Sequence, residues 1–166
     1  MLGPDHWSTP ERYMVRYHVA QLVWWWSGTV GALIVAVGIV SALARAHVLG
    51  AVSSDEMWWY VTLAVTPLLT VLSVAAKAHL LRPVRPEWSL HRTITYYKRI
   101  CVLTMSTCLV AGLLPCIVVA LSASLGLPML VTTIPLVALL LHFPNEEKFA
   151  RFVEGTTSAE SHDSHP

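Results

Sequence analysis

Four apolar runs, at residues 23–44, 58–80, 100–124 and 127–143, constrain this chain more than any motif in it. At 1.5 Å per helical residue, each is long enough, or nearly so, to cross a hydrocarbon core about 30 Å thick. Backbone polar groups in lipid must be satisfied within the segment, so such runs fold as helices. The expected fold is all-α: an integral membrane protein with four transmembrane helices as two antiparallel hairpins. Residues 1–154 form a single domain in this reading, and 155–166, rich in Ser, Thr, Glu and His, form a disordered tail. Composition agrees, since 13% of the residues are charged against about 25% in soluble domains.

The loops differ sharply in charge. From the end of the second run to the start of the third, residues 77–99 hold Lys77, Arg82, Arg85, Arg92, Lys98 and Arg99 against a single acid, Glu87. The N-terminal segment adds Arg12 and Arg16, whereas the first loop balances Arg45 with Asp55 and Glu56. Cationic segments resist translocation, so the basic ones are expected on the cytoplasmic side of the cell membrane, with both termini inside. Lys148 and Arg151 agree at the C-terminal end. A cleaved leader is not expected. Ala42-Leu43-Ala44 and Ala44-Arg45-Ala46 resemble cleavage sites, but the preceding apolar run is too long and a mostly polar stretch comes before it.

Aromatic clusters mark the same borders. Trp24, Trp25 and Trp26 open the first run, Trp58, Trp59 and Tyr60 the second, and Tyr96 and Tyr97 precede the third. Indole and phenol rings favour the headgroup layer, so an interfacial belt is expected. Residues 87–99 read as a short amphipathic cytoplasmic helix. Trp88, Leu90, Ile94 and Tyr97 would touch the headgroup boundary, while Arg82, Arg85, Arg92, Lys98 and Arg99 meet anionic lipid. Beyond the fourth run, Asn145 is a good N-cap for a juxtamembrane helix carrying Phe149, Phe152 and Val153.

Within the runs, Gly28, Gly31, Ala32 and Ala36 form a small-residue seam of the kind that lets two helices approach closely in lipid. A neighbouring helix of the same chain is the first expectation for what fills it, and another subunit the second. Pro67, Pro115 and Pro135 fall inside three runs and are expected to kink them, with Thr66, Thr132 and Thr133 satisfying freed carbonyls. Pro128, after Gly126, suits the first turn of a fourth helix that spans only about 17 residues, near the lower limit for crossing.

Few groups would carry chemistry. No acid lies in any run, and Lys77, near an inner edge, is expected to snorkel outward. Cys101, Cys108 and Cys116 read as small buried hydrophobes, two turns apart and so unable to pair within one helix. His18, His79 and His142 fall at similar depth and are the weak candidates for zinc, copper or haem, although none shows the helical spacing of a metal motif. Nucleophile, metalloprotease and phosphate-loop motifs do not occur, so the chain is not expected to be an enzyme. With a net charge of +1 it offers nucleic acid no footprint. The expected partners are the lipid bilayer and other membrane subunits or a second copy. The expected role is that of an accessory, assembly or scaffold subunit, and no cofactor is assigned. A subunit of an oligomeric transporter or channel is the alternative, and a haem- or metal-binding redox subunit a further one.

Overall fold

The computed structural model describes residues 9–46, 56–81, 88–122, 126–150 and 152. Among these there is no strand. The chain forms α1 (Thr9–Arg45), α2 (Glu56–Leu80), α3 (Leu90–Ser122) and α4 (Gly126–Leu141), followed by a helical turn at 146–150. Arg82, Arg85, Glu87 and the expected tail at 155–166 lie outside the described residues.

The first three helices are long and apolar enough to cross a membrane. They also leave large apolar side chains such as Ile39, Leu68, Val71 and Leu103 more than half exposed. Apolar faces of this extent are not stable in water, which points to a membrane protein. The fourth helix is apolar but has 16 residues, about 24 Å of length.

α3 is the central post, in contact with each of the other three helices. Side-chain contacts set the directions. Going up α1 and α3 together, Lys98 meets Gln21 and Gly112 faces Leu33, so these two run the same way. α2 descends, with Ser73 against Thr104 and the Leu80 carbonyl against the Tyr96 hydroxyl. α4 descends beside α1, from Met129 near Ser41 to Leu139 near Trp26.

Two boundaries depart from the sequence reading. α1 begins at Thr9 rather than near residue 23, because Val15, Val19 and Leu22 share one helical face and bury it against Ile94, Tyr97 and Phe149. Pro10 and Glu11 in its first turn suit a helix start. The expected separate amphipathic segment at 87–99 is also absent as such. From Leu90 onward it is the first part of α3, capped by Ser89, whose hydroxyl accepts from the Arg92 amide at 3.4 Å. Ile94 and Tyr97 are 3% and 4% exposed, covered by protein rather than by headgroups. Their apolar spacing serves a protein core and not the membrane surface.

Pro67, Pro115 and Pro135 lie inside α2, α3 and α4, with helix on both sides of each. The expected threonine rescue does not occur. A proline frees the carbonyl four residues earlier, here Leu63, Ala111 and Val131. Thr132 instead donates to the Pro128 carbonyl at 3.0 Å and Thr133 to Leu130 at 2.6 Å, while the buried Thr66 hydroxyl makes no hydrogen bond among the described residues. Short hydroxyls bond back along their own turn because that carbonyl is nearest.

Candidate functional site

Polar and aromatic groups converge at one end of the bundle, where the early parts of α1 and α3 meet the last turns of α2 and α4. The C-terminus of α4 explains much of this. The amides of His142 and Phe143 reach the Ala138 and Leu140 carbonyls and Pro144 supplies none, which leaves the Leu139 and Leu141 carbonyls to side-chain donors. The Trp26 indole N–H donates to the Leu139 carbonyl at 2.8 Å, across 113 residues of sequence. The Lys148 ammonium donates to the carbonyls of Leu141 and Phe143 at 3.0 and 2.9 Å. A buried carbonyl left unpaired costs about 1–3 kcal/mol, and a cation at a helix C-terminus adds about 0.3–1 kcal/mol. The next turn is then started by Asn145, whose side-chain oxygen accepts from the Lys148 amide at 2.8 Å.

This turn places Phe149 against Tyr97, with ring centres 5.3 Å apart at 77°, and Phe152 lies 5.3 Å from Tyr97. Trp26 meets Phe143 edge to face at 4.8 Å. Such pairs contribute about 0.5–1.5 kcal/mol beyond burial. Arg16 and Glu146 add an ion pair at 3.5 Å, but both side chains are more than half exposed and the pair contributes little.

Lys77 does not snorkel freely. It is half-buried, at the level of Cys101 on α3. The reason is the length of α3, which carries Cys101 alongside the end of α2. Cys101, Cys108 and Cys116 are buried and unpaired, and Cys108 lies 3.5 Å from the Ser73 hydroxyl.

The three histidines are not gathered into one site. His18 is half-buried, with its Nδ1 making no hydrogen bond among the described residues. His79 is exposed, and His142 Nδ1 lies 2.8 Å from the Ala138 carbonyl. Among the described residues, no group of three or more His, Cys, Asp or Glu side chains is placed to hold a metal.

The small-residue seam also departs from its first expectation. Gly28, Gly31 and Ala32 are exposed, and a Cβ added at Gly28 or Gly31 would meet nothing within 4 Å. Among the described residues no helix covers the seam at Gly28, Gly31 and Ala32, and Ala36 is half-buried. The close helix contact is at Gly112, where an added Cβ would stand 2.7 Å from Leu33 Cδ1. Cys108 and Cys116 stand four residues to either side of Gly112, and that stripe of small residues is the signal in the sequence for this close contact.

The interfacial cations split in the same way. Arg92 stacks over Trp88 at 4.8 Å from the ring centre, Lys98 bonds to the Gln21 side-chain oxygen, and Arg99 is exposed. Trp24 and Trp25 point outward, as an aromatic belt requires, whereas Trp26 points inward. Trp26 falls on the same helical face as Val15, Val19, Leu22 and Leu33, and that periodicity was the available signal for its different role.

Comparison of the chain with protein-family models, curated proteins and solved structures finds no match in any of the three.

Proposed function

We propose that this protein is a four-span subunit of a cell-membrane complex, with both termini on the cytoplasmic side, that acts by binding partner proteins rather than by chemistry. The observation that carries this reading is the open face of α1 at Gly28, Gly31 and Ala32. In lipid, helices associate where small residues let backbones come close. A helix face of this kind that its own chain leaves uncovered is suited to a helix from elsewhere.

The fourth span is supported by the way α4 follows α1. Its two ends meet Ser41 and Trp26, which are separated by about 22 Å along α1. A span of this length fits a membrane by local thinning and by flanking residues that reach the interface. The cytoplasmic placement of the termini rests on the basic residues around Arg12, Arg16, Lys98, Arg99 and Lys148.

A photo-crosslinking residue placed at Gly31 in intact cells tests the reading. It should yield one discrete protein adduct, which the same residue placed at the inward-facing Leu33 does not give. Adducts to lipid alone at Gly31 would overturn the proposal. An adduct to a second copy of the chain would make the complex a homo-oligomer and revive the transporter or channel alternative.

A further inference from the structure

The α1–α3 side of the bundle carries two open grooves separated by Trp25. One, of about 600 Å³, is lined by Gln21, Trp24, Gly28, Lys98 and Leu109. The other, of about 620 Å³, is lined by Lys98, Arg99, Val102, Leu103 and Ser106. Lys98 and Trp25 belong to both. The two grooves are therefore one feature: a cationic head with an apolar channel on each flank of an indole.

Among the described residues the charge at that head is not compensated. Lys98 has a neutral partner, the Gln21 side-chain oxygen. No acidic side chain lines either groove, and among the described residues no carboxylate pairs with Lys98 or Arg99. An ammonium has three donors, so bonding to Gln21 leaves two, and the exposed Arg99 guanidinium presents a planar fork suited to phosphate oxygens. Gln21 also fixes the Lys98 ammonium at the groove mouth, which lowers the ordering cost of using it.

Length gives the second argument. From Lys98 to Leu109 along α3 is about 16 Å, and half of a 30 Å hydrocarbon core is about 15 Å. The channel thus begins at a cation and ends one leaflet deep. Gly28 keeps it open, because nothing stands within 4 Å of its missing Cβ. Trp24 and Trp25, 80% and 59% exposed, lie near the mouth, where indoles favour the headgroup layer.

We propose that this double groove binds one anionic phospholipid, with its phosphate between Lys98 and Arg99 and its two acyl chains on either side of Trp25. A zwitterionic lipid fits less well, because its own ammonium or choline group would be brought towards two cations. The inference rests on the membrane reading above, and because Gly28 lines this groove and also belongs to the face offered there to a partner helix, lipid and partner would meet at that residue.

Native mass spectrometry of the full-length protein from mixed phosphatidylglycerol and phosphatidylcholine nanodiscs, with matched acyl chains, tests it. The wild type should retain one phosphatidylglycerol with a preference on the order of tenfold. Lys98→Gln with Arg99→Gln should abolish the preference, and Gly28→Leu should reduce retention of both lipids by filling one channel. Arg45→Gln, at the far end of α1, should change neither. Equal retention of the two lipids by the wild type, or a loss in Arg45→Gln as large as in the double variant, would overturn the site in favour of diffuse surface charge. A protein dimer that excludes lipid and is broken by Gly28→Leu would overturn it in favour of a second copy. Extraction of the wild type from cell membranes by alkaline carbonate would remove the membrane reading itself, whereas retention there without lipid preference removes only this site.

Discussion

α3 and α1 are both long apolar helices, yet their most apolar stretches are 50% and 22% buried inside the protein. The contrast is sharpest at their glycines. Gly112 on α3 has the Leu33 side chain pressed against it, while Gly28 and Gly31 on α1 face open space. One glycine is where this chain packs on itself, and the others are where it leaves room. Sequence spacing alone draws attention to the second group, because spacing reports what a helix face permits and not what occupies it.

Substitutions divide along the same line. Phe149, 2% exposed between Tyr97 and the start of α1, should show the largest effect: Phe149→Ala should cost about 3–5 kcal/mol in detergent unfolding. A loss under about 1 kcal/mol would mean that the aromatic junction is not where the fold is held.

Gly112→Ala should cost about 1–3 kcal/mol, because Leu33 is 1% exposed and has little room to turn away. Gly31→Ala in the same assay should be neutral or stabilising by up to about 1 kcal/mol, as alanine favours the helix and meets no neighbour. Equal losses at the two glycines would erase the distinction between the packed and open faces. Lys148→Met, which removes the cation from the last carbonyls of α4, should cost about 0.3–1 kcal/mol. An unchanged midpoint would show that water serves those carbonyls equally well.

Much of the fold was legible as hydropathy. The apolar runs became α1 to α4, and Asn145 caps the turn after Pro144 as its residue type suggests. The first half of α1 was not legible in that way, since Arg12, Arg16, His18 and Gln21 dilute the average. Its Val15, Val19, Leu22 and Trp26 face was nevertheless present as a 3.6-residue period. The Trp26 bond to Leu139 could not be read at all, because it depends on which helices become neighbours over 113 residues. The same is true of Lys98, whose basic charge was evident but whose place at the mouth of a groove follows from α1 and α3 running in the same direction.

The central claim is that the chain crosses the cell membrane four times, including through the 16-residue α4. A pair of reporter fusions tests it most directly, using an enzyme active only outside the cytoplasm, joined after Ser53 or after Gly155. The account predicts activity at Ser53 and none at Gly155, whereas activity at both positions would mean that α4 does not cross, and would contradict it.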